Sequence, residues 1–146
     1  MTLHPQGANQ IAAGMLGLMR ESLPDAVGGM AIGADPITAS IVMLAGQNDL
    51  SLRGFMVRKE AKQHGMGKLV EGPVEPGMSC IIVEDVVTSG GSAMKAIEAV
   101  RDFGMTVNGV MAVIDRLEGG RSVFEREGIP LWTLLDITDF GISPPA

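Results

Sequence analysis

Two adjacent carboxylates, Glu84 and Asp85, follow an apolar stretch, and a Thr-Ser-Gly-Gly-Ser segment comes three residues later, at 88–92. A glycine-rich turn between a strand and a helix leaves backbone N–H groups free at the helix N-terminus, where the helix dipole favours an anion. The hydroxyls of Thr88, Ser89 and Ser92 add donors. The pattern is typical of a phosphate monoester site, although many helices begin with Ser and Gly only as caps.

The two carboxylates need a different part of the ligand, because they would repel a phosphate. Carboxylates accept hydrogen bonds from sugar hydroxyls and favour a developing positive charge nearby. A ribose that carries a 5-phosphate satisfies both halves, with the phosphate in the turn and the hydroxyls on Glu84 and Asp85. The alternative is that both acids are ordinary solvated loop charges.

The basic residues are concentrated in one segment of an otherwise acidic chain. The net charge is −6, which argues against general binding to nucleic acid or to an anionic membrane surface. The basic segment is instead typical of a local anionic partner, and a polar loop as long as 58–72 is usually functional or mobile. Arg58 and Lys59 alone could be a solvated pair, and His64 a surface residue. Five of the eleven Lys and Arg residues lie between positions 53 and 68: Arg53, Arg58, Lys59, Lys62 and Lys68.

Apolar periodicity and turn residues predict alternating strands and helices. Asp35 is expected to cap its helix, with Pro36 at the first helical position and Gly46 as the stop. Buried strands separated by helices predict a central parallel sheet flanked by helices on both faces, with ligands beyond the carboxyl ends of the strands. Helices are predicted at 5–22, 35–45, 90–103 and 120–127, and strands at 27–32, 53–57, 79–83, 107–114 and 131–136.

Length and composition predict one domain spanning residues 1–146. No apolar run approaches the roughly 18 to 20 residues needed to span a bilayer, and the N-terminus does not read as a secretory signal. The single cysteine, Cys80, is expected to be a packed core thiol, and one cysteine suits a reducing cytoplasm.

Four sequence motifs together resemble a known family. The stretch "IIVEDVVTSGGS" resembles the phosphoribosyl-pyrophosphate motif of type I phosphoribosyltransferases. Within that class, "RKEAKQHG" is similar to the mobile catalytic loop of orotate phosphoribosyltransferases, "GGMAIGADPI" to their pyrophosphate loop and "AVIDRLEGG" to the segment that contacts the orotate carboxylate. The motifs occur in the family's order, which is more specific than any one motif. The resemblance implies an α/β, type I phosphoribosyltransferase fold.

The resemblance also implies roles for individual residues. Glu84 and Asp85 would hold the ribose hydroxyls, and Lys62 would be the most mobile and most catalytic of the loop cations. Arg116 would pair with the carboxylate of the base, although Asp115 and Arg116 could equally be a salt-bridged strand end. The donor's 5-phosphate would bind Thr88, Ser89, Gly90, Gly91 and Ser92, and its pyrophosphate would bind Arg58, Lys59, Lys62 and His64 and the pocket at Gly33, Ala34 and Asp35.

The activity implied is the transfer of 5-phosphoribosyl from 5-phosphoribosyl-1-pyrophosphate to orotate in de novo pyrimidine (UMP) biosynthesis. Mg²⁺ would be held by the donor pyrophosphate, with no direct protein ligand. The resemblance further implies a homodimer whose 58–72 loop reaches the neighbouring site. Cysteine usage, charge and hydropathy predict a cytoplasmic protein with no nucleic-acid or membrane partner.

The chain departs from the family at its start. An N-terminal hood segment over the base, with a lysine and aromatic residues, is expected to be missing before Leu3. Two alternatives therefore stay open: another type I phosphoribosyltransferase that acts on a purine or other base, and a non-catalytic sensor of the donor.

Overall fold

The computed structural model describes residues 1–61 and 68–146. In these residues six strands form one sheet in the order β3-β2-β1-β4-β5-β6, and all neighbours are parallel except β2 and β3. The strands are β1 (Ala26–Met30), β2 (Arg53–Val57), β3 (Val70–Glu71), β4 (Ser79–Val87), β5 (Thr106–Asp115) and β6 (Leu131–Asp136). The helices are α1 (Pro5–Met19), α2 (Asp35–Gln47), α3 (Gly91–Phe103) and α4 (Gly120–Arg126), with short 3₁₀ turns at Arg20–Ser22 and Ile137–Phe140.

The sheet is buried on both faces, as the sequence predicts. On one face, α1 and α2 pack their apolar residues against Val27, Ile81 and Val83. On the other face, α3 and α4 cover Phe55 and Ile82. The fold is therefore the predicted α/β arrangement. Helices pack on both faces of the sheet and thereby fix the positions of the strand ends.

Cys80 lies in β4 and is fully buried, which confirms the prediction of a core thiol. Burial raises the pKa of the Cys80 thiol to about 12, so the group behaves as a small apolar side chain. No helix in the described part of the chain is both long and apolar enough to cross a bilayer.

Several predicted boundaries were wrong, and tertiary contacts explain them. β4 continues past position 83 to Val87, because β5 supplies hydrogen-bonding partners along the whole stretch. α2 continues through Gly46 to Gln47, so Gly46 is not the stop. The first helix becomes a 3₁₀ turn after Met19. The short strand β3 lies inside the segment predicted as a loop, where it pairs antiparallel with β2.

The strand order places a switch point between β1 and β4. β2 lies on one side of β1, whereas β5 and β6 lie beyond β4, so the connections leave these two central strands in opposite directions. A crevice outside the carboxyl ends of the strands is expected at such a point. At Gly29 in β1, an added Cβ would clash with the Val83 carbonyl oxygen of β4, which shows how closely the two backbones approach.

Candidate active site at the carboxyl ends of the central strands

The 88–92 turn joins β4 to α3 and leaves the helix N-terminus open. Gly90 is the N-cap residue with φ 85°, and no side chain caps the helix. A Cβ at Gly90 would lie 3.2 Å from the Phe124 ring, so a side chain there meets both backbone strain and crowding. The first N–H groups of α3 are therefore available to an anion, and the helix dipole favours one.

Glu84 shares a cavity with this turn. The cavity has a volume of about 50 Å³ and is lined by Glu84 and by residues 86–93. Glu84 is only 6% exposed, and its Oε1 has no hydrogen-bond partner among the residues that the structure describes. A buried acceptor without a partner is costly. Glu84 thus lies close to the 88–92 turn, as the sequence predicts.

Asp85 faces a different element from Glu84, because consecutive residues of a strand point to opposite sides. Its carboxylate lies against the loop after β1, where a Cβ built on Gly33 would be 3.3 Å from Oδ2. Its Oδ1 accepts a hydrogen bond from the Val86 N–H at 2.8 Å. The two acids thus bracket the end of β4, with Glu84 toward α3 and Asp85 toward the β1–α2 loop.

The expected capping role of Asp35 was wrong. Ala34 is the N-cap residue of α2, and Asp35 is the first residue of the helix, with no side-chain capping bond. Its Oδ1 is buried without a hydrogen-bond partner in the described residues, and burial raises the pKa of Asp35 above its ordinary value. Gly33 lies beside Asp85 in the loop after β1, and Ala34 and Asp35 follow it as the N-cap and first residue of α2.

The charge state of Glu84 depends on its burial. Burial raises the pKa of Glu84 to about 7, and the charge of Asp85 adds to that rise. A hydrogen bond with the Ser92 side chain acts in the opposite direction and lowers the pKa. A partner with hydroxyl groups or positive charge would relieve the cost of ionising Glu84 in this cavity.

Arg58 and Lys59 line a second, wider cleft of about 650 Å³ that also includes Ser92 and Lys95. The cleft reaches the same end of α3 as the small cavity, so the first cations of the predicted loop do share a space with the turn. Arg58 donates from Nε to Glu71 Oε1 at 3.1 Å, and its backbone N–H donates to the Leu69 carbonyl at 2.8 Å. Lys62 and His64 lie outside the described residues.

Arg116 lies next to the 88–92 turn through the backbone. Its N–H donates to the Val87 carbonyl at 2.9 Å, and the Gly120 N–H donates to the Thr88 carbonyl at 3.0 Å. The Arg116 side chain pairs with Glu118, with 2.8 Å between Nη2 and Oε1. The β5–α4 connection is thus bonded to the turn, and the guanidinium has a carboxylate partner.

Asp115 is fully buried and stabilises the conformation of the β5–α4 connection. Its Oδ1 accepts from the Leu117 N–H at 2.8 Å, and its Oδ2 lies 3.3 Å from Arg121 Nη2. Asp115 and Arg116 are thus both salt-bridged, but with Arg121 and Glu118 and not with each other, and the role of Arg116 toward the base stays a prediction.

Sequence reasoning missed the two acids that pair with the cations of the site. Glu71 meets Arg58 only because β3 pairs with β2, with Val57 opposite Val70. Glu118 meets Arg116 across a turn in which Leu117 has φ 57°. The spacing of opposite charges two residues apart, Arg116 to Glu118, was the available signal for the second pair. For Glu71 no local signal exists, since the contact spans 13 positions.

Comparisons with known proteins agree with this arrangement. Residues 37–125 match the phosphoribosyl transferase domain. The orotate phosphoribosyltransferase of Rhodopirellula baltica is 60% identical over 150 residues, covering 99% of this chain and 78% of that protein. That of Aquifex aeolicus is 45% identical, covering 95% and 76%. The crystal structure of Mycobacterium tuberculosis orotate phosphoribosyltransferase in complex with 5-phospho-alpha-D-ribosyl 1-diphosphate superposes with a TM-score of 0.84 at 34% identity, covering 97% of this chain and 80% of that one.

The doubly covered sheet, the open helix N-terminus after β4 and the acids at the end of that strand define a type I phosphoribosyltransferase. Identities of up to 60% over nearly the whole chain narrow the class further. The chain belongs to the orotate phosphoribosyltransferase family.

Proposed function

We propose that this protein transfers the 5-phosphoribosyl group of 5-phosphoribosyl-1-pyrophosphate to orotate, giving orotidine 5-phosphate and pyrophosphate on the route to UMP. One observation carries the proposal: the buried carboxylate of Glu84 and the uncapped N-terminus of α3 line one small cavity. A sugar phosphate fits an acid and an anion site that are so near each other. Its hydroxyls would bind the acid, and its phosphoryl group would bind the anion site.

The donor's 5-phosphate would bind in the 88–92 turn. Backbone N–H groups at the start of α3 and the hydroxyls of Thr88, Ser89 and Ser92 are its donors. Gly90 and Gly91 leave room for the phosphoryl oxygens near the backbone, since neither carries a side chain. This assignment makes the turn an affinity element, because it contacts a part of the donor that does not react.

Glu84 and Asp85 would take the ribose hydroxyls from two directions. As the bond from ribose C1 to the pyrophosphate oxygen breaks, the sugar gains positive charge, and nearby carboxylates stabilise it. A ring nitrogen of orotate supplies the electron pair for the new bond to C1, so no protein nucleophile is required. The protein positions both reactants and stabilises charge, as enzymes of phosphoryl transfer do.

The leaving pyrophosphate would be held by cations and by the loop after β1. Arg58 and Lys59 line the cleft next to Ser92, and Lys62 and His64 are proposed from the family resemblance. Gly33, Ala34 and Asp35 would contribute the other wall. A basic loop over the site would also exclude water, which could otherwise hydrolyse the donor.

Magnesium is proposed to arrive with the donor. Within residues 1–61 and 68–146, no group of three or more His, Cys, Asp or Glu side chains is placed to hold a metal ion. The unpartnered Oδ1 of Asp35 is an acceptor that fits the hydration shell of a donor-held cation. When bound, Mg²⁺ would neutralise part of the pyrophosphate charge.

We also propose a cytoplasmic homodimer in which the 58–72 loop serves the neighbouring site. A mixed dimer tests this by pairing a Lys62→Ala chain with an Asp85→Ala chain. If the loop crosses between subunits, one of the two sites keeps both intact parts and activity partly returns. If each subunit is self-contained, both sites are inactive.

The decisive test of the function is turnover of orotate with the donor and magnesium, followed by release of pyrophosphate. Turnover with a purine base but not with orotate would assign the chain to another base. Donor binding without turnover of any base would indicate a non-catalytic sensor.

A further inference from the structure

The ion pair between Arg116 and Glu118 engages the arginine that the family resemblance assigns to the base. Its Nη2–Oε1 distance is 2.8 Å, and the two side chains are 54% and 35% exposed. The pair follows β5 directly and is tied to the donor turn, because the Arg116 N–H donates to the Val87 carbonyl. A carboxylate of the protein itself therefore pairs with the guanidinium to which the family resemblance assigns the carboxylate of orotate.

The turn that contains Arg116 and Glu118 is held by a hydrogen bond and an ion pair of Asp115. Buried Asp115 accepts from the Leu117 N–H at 2.8 Å and lies near Arg121, and Leu117 adopts φ 57°. These contacts fix the backbone from 115 to 118, so residues 116 and 118 stay within reach of each other. Arg121 is already engaged with Asp115, and the carboxylate facing Arg116 on this turn is that of Glu118.

We propose that Glu118 is an internal stand-in for the carboxylate of the base. On this view, which rests on the proposed function, orotate binds by displacing Glu118 from Arg116. Glu118 thereby sets the affinity of the site for carboxylated bases. Glu118 also keeps Arg116 from binding a phosphate group of the donor. The 88–92 turn, where that phosphate would bind, begins one residue after Val87, the backbone partner of Arg116.

The chemistry of the exchange is one carboxylate for another. A guanidinium has five N–H donors and can bind a carboxylate through two of them at once. The contact with Glu118 joins one nitrogen to one oxygen, so an incoming carboxylate can make a better-matched pair. An exposed ion pair is a weak interaction, because water competes for both charges, and it is therefore easily displaced.

Glu118→Gln tests the proposal by removing the competing charge at nearly constant shape. We expect the KM for orotate to fall by about threefold, with kcat and the KM for the donor unchanged, because an exposed pair of this kind is worth under about 1 kcal/mol. Inhibition by inorganic phosphate should become stronger, since Arg116 then lacks a carboxylate partner. Competitive inhibition by uracil, which has no carboxylate, should not change.

Glu125→Gln is the matched control, because it removes the same charge from an exposed position on the next helix. An active wild type whose orotate KM is unchanged or raised by Glu118→Gln overturns the proposal; a rise would mean that Glu118 orients Arg116. If Glu125→Gln changed the orotate KM equally, the change in net charge would be the cause, and the proposal would also be overturned. A wild type with no orotate turnover would instead overturn the proposed function, and this inference with it.

Discussion

The acids Glu84 and Asp35 differ from the cations Arg58 and Arg116 in burial and in whether each charged group already has a partner. Glu84 and Asp35 each bury a carboxylate oxygen with no partner in the described structure, and burial raises the pKa of both groups. Arg58 and Arg116 are partly exposed, and each already contacts a carboxylate of the protein. Glu84 and Asp35 therefore each have an acceptor oxygen that no described residue satisfies, whereas Arg58 and Arg116 must give up a carboxylate partner to bind a ligand.

This difference between the acids and the cations implies different effects on stability and on activity. A buried, unsatisfied acid costs stability and gains when a sugar or a cationic transition state arrives. A paired, solvent-accessible cation costs little in the free protein and can exchange partners during closure. We therefore expect substitutions of the acids to change stability as well as activity, and substitutions of the cations to change activity alone.

The largest effect is expected from the loop. Lys62→Ala should lower kcat by on the order of 10²–10³ and change the donor KM much less, because a cation in a water-poor site stabilises the leaving group mainly in the transition state. Steady-state kinetics with both substrates measure this. Lys68→Ala, an exposed lysine near the end of the same segment, is the control. A pure loss of donor affinity with normal kcat would contradict the assigned role.

Glu84→Gln should abolish most activity and yet stabilise the free protein near pH 8. The folded pKa of about 7 lies above the ordinary value of 4.5, so the folded protein holds this proton more tightly than the unfolded chain. Stability contributed by protonated Glu84 is present below pH 4.5 and is lost as the pH rises through 7, by on the order of 3 kcal/mol. The wild type should lose stability over that window relative to the variant.

Thermal unfolding of both proteins between pH 4 and pH 8 measures this difference. The Tm difference should grow from about pH 4.5 to 7 and then level off. Glu21→Gln provides the baseline, because it removes the same charge from an exposed side chain. A pH-independent difference would show that ionisation of Glu84 is not its cause.

Thr88→Val should weaken donor binding by about tenfold, since a hydrogen bond to a charged group is worth about 1.5–3 kcal/mol at most sites. The change keeps the shape of the side chain and removes the hydroxyl. Titration calorimetry with the donor measures the loss. Thr106→Val, at the opposite end of the sheet, should bind normally. Equal losses in both variants would argue against a specific contact at Thr88.

Glu71→Gln should give the smallest change, a fall in donor KM of less than about fivefold, because Arg58 then has no Glu71 carboxylate to give up and the pair is partly exposed. Glu75→Gln, just beyond the hairpin, is the control. The test is a double-mutant cycle with Arg58→Ala. If Glu71→Gln has the same effect when Arg58 is absent, Glu71 does not act through Arg58.

Residues that are close together in the sequence account for the part of the candidate site that is local in the chain. An apolar strand, two acids, a glycine-rich turn and a helix occupy one run from Cys80 to Phe103, and neighbouring residues dictate each part. The left-handed conformation of Gly90 and the open helix N-terminus follow from residue types within that run. Elements with long apolar patterns were predicted correctly for the same reason, although their ends were not.

The distribution of charges in the site depends instead on contacts between distant segments of the chain. β5 extends β4 through both acids, and the strand's alternation then sends Glu84 toward α3 and Asp85 toward Gly33. β3 brings Glu71 to Arg58 across the hairpin. Such pairings depend on strand register and on backbone contacts between distant segments, whose free energies are not encoded in any local stretch of residues.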